Sequence, residues 1–256
     1  MTSETLSKNL SLGLLLGWQD VKQAYRRSSL GPFWITAGMA VQVGAMGLVF
    51  GLIFRLPLSE YLPFLATSIV VWGLISSVIT DGCNSFIVAE SIIKQRQVPI
   101  YVFVLRTIWK QMTIFGHNLV IVPFAFLVVL QGFSWSLLLV IPGLAIAIAN
   151  LTWIAYLLAI LSARYRDIPQ VVTSVMTILY FVSPVMWKPE VIPADVAHLL
   201  LGLNPMYHIL QVVRLPILGE VPTLENWLLT LAFALAGGLA AFLASKKYKN
   251  KIAYWV

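Results

Sequence analysis

From Gln111 to Ala163 the chain reads QMTIFGHNLVIVPFAFLVVLQGFSWSLLLVIPGLAIAIANLTWIAYLLAILSA, without one Asp, Glu, Lys or Arg. At about 1.5 Å of rise per helical residue, this is far too long for one crossing of a bilayer, which takes about 20 apolar residues. Its one polar break is Gln131-Gly132-Phe133-Ser134-Trp135-Ser136. The stretch therefore reads as two spans, 108–130 and 137–161, joined by a tight turn. Outward from it, the same criterion gives spans at 33–54, 61–81, 168–187 and 225–245. Composition agrees: 59% of the 256 residues are hydrophobic and 11% charged, whereas soluble domains carry about 25% charged residues. A folded soluble chain of this length has no way to bury so much apolar surface. The fold class expected is an all-α membrane protein, one transmembrane domain over 1–256 with short loops.

One segment competes for a seventh span. Residues 196–213 carry no Asp, Glu or Lys, nor any Arg, but Asn204-Pro205 interrupts them. Charge placement decides. With six spans, Lys8, Lys22, Arg26, Arg27, Lys94, Arg96, Arg106, Lys110, Arg164, Arg166, Lys246, Lys247, Lys249 and Lys251 share one side, leaving Arg55, Lys188 and Arg214 on the other. Positive charge gathers on the cytoplasmic side, so both termini are expected there. A seventh span would throw the C-terminal lysines outside. Residues 196–213 thus read as a re-entrant outer hairpin before the last span, tolerated only where protein or a watery cavity receives its broken backbone.

The polar segment Met1–Leu10, with no long apolar core behind it, does not read as a signal peptide. Residues 10–29 then place Leu10, Leu14, Trp18, Val21 and Tyr25 at helical spacing opposite a charged face, an interfacial amphipathic helix. It serves as a lipid anchor, a docking surface, or both. The longest internal loop, 82–106, alternates Ile92, Ile93, Val98 and Ile100 with Glu90, Lys94, Gln95 and Arg96, a form a soluble partner can grip. Arg164 and Arg166 stand at the membrane edge before Pro169.

No Gly-x-x-x-x-Gly-Lys nucleotide loop occurs, and the three histidines lack companions at metal-ligand spacing. Away from their ends the spans carry no charges, which disfavours ion-coupled transport. The lone Cys83 reads as a packing residue and Gly47/Gly51 as a close-packing face. No catalytic residue and no metal is expected.

Taken in order, these pieces resemble a known family. Tyr25-Arg26-Arg27-Ser28-Ser29-Leu30-Gly31-Pro32-Phe33-Trp34 resembles the opening of type-2 ABC permeases that export polysaccharides. Tyr61-Leu62-Pro63-Phe64-Leu65-Ala66 with Trp72 resembles their second span. Cys83–Phe86, Ala89–Lys94, Arg106 with Trp109-Lys110, and His117-Asn118-Leu119-Val120 look like the O-antigen (Wzm-type) subgroup. Arg164–Ile168, Ser183-Pro184-Val185, Asn204-Pro205 and Arg214 continue the similarity along nearly the whole chain.

The resemblance implies a multi-pass permease of the bacterial inner (plasma) membrane. It would work as a homodimer with two separate ATPase subunits, which would bind the ATP and Mg, no cofactor being held by this chain. Its substrate would be an undecaprenyl diphosphate-linked polysaccharide; membrane lipid surrounds it and nucleic acid plays no part. The implied coupling residues are Asn84, Glu90, Lys94, Gln95 and Arg96, with Arg26 and Arg27. Channel-lining or lipid-headgroup candidates are Tyr25, Phe33, Trp34, Phe50, Tyr180, Phe181, Arg164 and Arg166. The periplasmic gate would occupy 188–220 with Trp187, Asn204, Pro205, Tyr207 and Arg214. A capsule or teichoic-acid exporter shares this architecture. A small-molecule drug exporter and a membrane glycosyl- or acyltransferase are the other readings.

Overall fold

The computed structural model describes residues 3–24, 26, 31, 33–95, 98–129, 132 and 134–256. The expected site residues Tyr25, Arg27 and Arg96 lie outside the described residues. Among those described there are helices and no strand. In chain order they are α1 (Ser3–Ala24), α2 (Phe33–Phe54), α3 (Leu58–Val88), α4 (Glu90–Gln95), α5 (Tyr101–Asn118) and α6 (Ile121–Val128). After a short 3-10 turn at Trp135–Leu139 come α7 (Val140–Arg164), α8 (Ile168–Val182), a second 3-10 turn at Pro189–Val191, α9 (Ala194–Gly202), α10 (Pro205–Ile217), α11 (Leu224–Tyr248) and α12 (Ile252–Trp255).

Among the described residues, five segments are long and apolar enough to cross a membrane: Phe33–Phe54, Leu58–Val88, Tyr101–Val128, Trp135–Arg164 and Leu224–Tyr248. The remaining expected span, 168–187, is a shorter apolar helix, α8, of 15 residues. It stops five residues before the expected end at 187 because Ser183 precedes Pro184. A residue before proline is pushed out of the helical region, and Ser183 is extended at φ −81°, ψ 144°.

Other boundaries move for similar local reasons. α3 does not end at 81 but runs through Val88, so the first part of the expected 82–106 loop is helical, and Asp81 sits inside a helix. The third span is two helices, broken at Leu119-Val120. Pro123 cannot donate to the Leu119 carbonyl and its ring crowds it. The N-terminal helix begins at Ser3 rather than at 10. Between α2 and α3 the chain turns through Arg55 at φ +53°. Leu56 N–H bonds the Gly51 carbonyl at 3.1 Å and Arg55 N–H the Leu52 carbonyl at 3.3 Å, a Schellman closure with arginine where glycine is usual.

α3 forms the axis of the bundle. It packs against α2, α5, α6, α7, α8 and α10, and residues from Tyr61 to Phe86 are buried on most sides. A helix apolar all round is suited to that place. By contrast α2 buries only Val43, Gly47 and Gly51, where Gly47 and Gly51 seat Leu62 and Tyr61 of α3. α8 buries only Met176.

Candidate functional site

The described charges gather at the two ends of the bundle. At the end that carries α4, α1 lies along α5. The closeness comes from Gly13 and Gly17: a Cβ on Gly17 would stand 2.6 Å from the Arg106 carbonyl oxygen, and one on Gly13 2.9 Å from Leu105. Asp20, one turn further on, takes Arg106 in a two-pronged ion pair, Nε to Oδ2 and Nη2 to Oδ1, both at 2.6 Å. Asn9 Nδ2 donates to the Tyr101 hydroxyl at 3.2 Å. The buried face of α1 is therefore Gly13, Gly17 and Val21, while Leu10 and Trp18 of the expected apolar face remain exposed. The partner that α1 docks on is its own chain.

Beside it, Lys110 Nζ and Gln111 Nε2 of α5 both bond Asp81 Oδ2 of α3, at 2.8 and 2.6 Å. Bidentate arginine–carboxylate geometry is the strong form of an ion pair, and the Asp20–Arg106 side chains are only 21% and 18% exposed. Arg106→Gln is expected to loosen α1 by about 1–2 kcal/mol, less than a fully buried pair because solvent reaches it. Hydrogen exchange of α1 amides should then quicken roughly tenfold. The exchanged pair Asp20→Arg with Arg106→Asp should recover most of the protection; unchanged exchange in Arg106→Gln would show the pair to be ornamental.

The expected coupling residues sit around this end. Asn84 is half-buried on α3, its amide donating back to the Thr80 carbonyl at 3.3 Å. Glu90 and Lys94 pair across one turn of α4 at 2.7 Å, and the adjacent ammonium holds the Glu90 carboxyl below its usual range. Gln95 and Arg26 are exposed. Arg164 lies over the rings of Tyr165 and of Trp255 on α12, at 5.2 and 5.4 Å, and Arg166 is exposed.

Along the bundle, Phe33, Trp34 and Phe181 are exposed. Phe50 stacks on Phe54 at 5.8 Å, and Tyr180 meets Trp72 at 5.9 Å and Phe181 at 5.4 Å. α8 exposes Gln170, Thr173, Ser174 and Thr177 together with Val171, Val175 and Ile178. The three hydroxyls bond carbonyls of their own helix at 2.9, 3.2 and 3.0 Å, so this face is polar without being unsatisfied.

At the opposite end the expected gate residues converge on the turn after α8. The chain does break at Leu203-Asn204, and Asn204 caps α10: its Oδ1 accepts from the N–H groups of Met206 at 3.0 Å and Tyr207 at 3.3 Å, a cap worth about 1 kcal/mol. Its Nδ2 donates to Ser183 Oγ at 2.8 Å. Tyr61 Oη donates to the Met186 carbonyl, and Trp187 Nε1 to that of Phe181. His208 lies within bonding distance of Asn226 on α11 and of the Gly202 carbonyl. Arg214, expected among the outward charges, is buried at 1% exposure. Its Nε and Nη2 reach Gln211 Oε1 at 3.1 and 2.8 Å, and its Nη1 reaches Ser68 Oγ at 3.0 Å and the Pro184 carbonyl. The guanidinium lies 4.7 Å from the Phe64 ring. α10 packs on α3, α7 and α11, so the broken backbone is received by protein. A cavity of about 780 Å³ opens here, with Glu60, Lys188, Glu190, Tyr207 and Glu220 on its wall.

Sequence reasoning missed Asp20, Arg106, Asp81, Ser68, Gln211 and the hydroxyl face of α8. Only the Gly13/Gly17 spacing and the Gln211/Arg214 spacing were readable signals; the rest pair across elements. Among the described residues, no three His, Cys, Asp or Glu side chains gather as a metal-ligand set.

The family described as "ABC-2 type transporter" matches residues 12–218, from α1 through α10. Over 179 residues the chain is 27% identical to a Klebsiella pneumoniae protein named O-antigen export system permease protein RfbA, covering 68% of each. A second K. pneumoniae protein of that name is 27% identical over 177 residues, again 68% of each. A Myxococcus xanthus protein of that name is 22% identical over 197 residues, 76% of each. With four of the membrane-length segments, most of the helix docked along α5 and the broken α9–α10 pair inside the matched region, this chain belongs to the ABC-2 type transporter family.

Proposed function

We propose that this chain is the membrane-spanning subunit of an ATP-driven exporter that moves a lipid-linked polysaccharide, of the O-antigen kind, out across the bacterial inner membrane. The observation that carries the reading is the family match over 12–218 together with three relatives named as O-antigen export permeases. In this reading there are six spans and both termini face the cytoplasm. α8, about 22 Å long at 1.5 Å per residue, falls short of a hydrocarbon core of about 30 Å. It completes its crossing through the turn 183–187, roofed by the α9–α10 hairpin entering from outside. Backbone freed in that turn then lies against protein rather than lipid, as membrane depth requires.

Two copies would face each other across α2 and α8, helices that leave most of their side chains uncovered in the single chain. A glycan passing between them would meet the hydroxyls of α8 and the rings of Phe33, Trp34, Phe50, Tyr180 and Phe181. α4 and its flanks, with Glu90, Lys94, Gln95 and Arg96, would meet a separate ATPase subunit that binds ATP and Mg. Removing the gene should make an undecaprenyl-linked glycan accumulate inside the cell, and single cysteines at Lys94 and Lys249 should resist membrane-impermeant reagents while one at Ala194 reacts. Glycan reaching the surface at normal levels without the gene would refute the exporter reading. Labelling of Lys249 from outside would refute the six-span topology.

A further inference from the structure

A crevice of about 730 Å³ lies between α4 with the start of α5 and the end of α11 with α12. Part of its lining is apolar: Ile93, Val98 and Pro99 on the first side and Ala253 on the second. Part offers donors: Gln95 and the hydroxyl of Tyr101 on the first side, Lys249 and Asn250 on the second. The Tyr101 oxygen already accepts from Asn9, so its own O–H is left to donate. Charge here is one-sided. Lys94 is matched by Glu90 at 2.7 Å, but among the described residues no ion pair engages Lys249 or its neighbours Lys246, Lys247 and Lys251. The Arg164 guanidinium is held at the same end, over Trp255. The crevice lies where a membrane-length helix ends, and Ile252, fully buried, fastens α12 beneath it.

We propose that this crevice binds the phosphate of an anionic phospholipid headgroup, and that the bound lipid braces α4. A phosphate takes charge-assisted bonds from Lys249 and neutral ones from Asn250, Gln95 and Tyr101, and the apolar lining receives the glycerol and first methylenes. An ion free in solution would gain nothing from that lining. The effect on α4 rests on the reading of this end as cytoplasmic and of α4 as the coupling helix; the binding itself does not.

The test uses the full chain in vesicles of phosphatidylcholine with phosphatidylglycerol, extracted and weighed by native mass spectrometry. Wild type should retain phosphatidylglycerol. Lys249→Gln with Ala253→Phe should retain about tenfold less, while Lys251→Gln, a lysine outside the crevice, should retain as much as wild type. Equal loss in Lys249→Gln and Lys251→Gln would reduce the effect to general surface charge and overturn the site. Displacement by inorganic phosphate alone, or retention of a polyprenyl phosphate in place of phosphatidylglycerol, would overturn the lipid assignment. If the site survives while a cysteine at Lys249 is labelled from outside, the orientation reading has failed and the crevice has not.

Discussion

Replacing Arg214 by lysine is expected to destabilise the end of the protein that carries α10 more than replacing it by methionine. The guanidinium makes four hydrogen bonds, two to Gln211 and one each to Ser68 and the Pro184 carbonyl, and forms no ion pair among the described residues. Its planar fork reaches acceptors on three elements at once. A lysine ammonium presents its donors from one point and leaves some of those acceptors unbonded, while the buried charge remains. An uncompensated buried charge costs several kcal/mol, so a loss of about 3 kcal/mol is expected for Arg214→Lys. Methionine leaves the same acceptors without their donor, at about 1–3 kcal/mol for each one left dry, but removes the charge and its desolvation cost. A net loss of about 1–2 kcal/mol follows for Arg214→Met. Denaturant unfolding in detergent measures both, and export should fall in both, because Arg214 ties the hairpin to α3 and to the turn after α8. Methionine proving worse than lysine would mean that the charge, rather than the fork, is what this site requires.

Gly143→Ala, a change of one methyl group, is expected to cost about 3 kcal/mol or more. Pro216 cannot donate to the Val212 carbonyl, and Gly143 of α7 packs directly on that carbonyl; a Cβ there would overlap the Val212 oxygen. The obstruction is backbone, so α7 and α10 must part, and overpacking in a tight core costs about 1–3 kcal/mol even where side chains can yield. Gly38→Ala is the matched control. Nothing lies within 4 Å of its Cβ position, and alanine in a helix interior gains up to about 1 kcal/mol over glycine. Opposite signs for the two substitutions are expected in unfolding measurements. Similar values would mean that the α7–α10 approach is loose.

Some of the fold was legible because hydrophobicity and proline act locally. The chargeless run 111–163, the apolar stretches around it and the Asn204-Pro205 break each announce themselves within one or two turns of chain. Family resemblance then ordered them, and the family match bears that out. The boundaries slipped where helix continues past the apolar stretch: α3 carries Asp81 within it because Lys110 and Gln111 of α5 hold the carboxylate, and no local rule reports a partner about thirty residues away. The same limit hid the role of Arg214. By count it was one outward charge among three; in the fold it is buried with partners on α3, on α10 and in the turn after α8. α1 read as an amphipathic helix for lipid, for docking or for both, yet the face it buries is the Gly13/Gly17 edge, since backbone closeness to α5 depends on what lies opposite. Local composition alone was enough to show a membrane protein, how its apolar segments divide and where proline breaks them, because those are costs incurred residue by residue. Tertiary structure alone decided which helix is the axis, which charges are paired and which helices are left uncovered, because those depend on neighbours that only packing brings together.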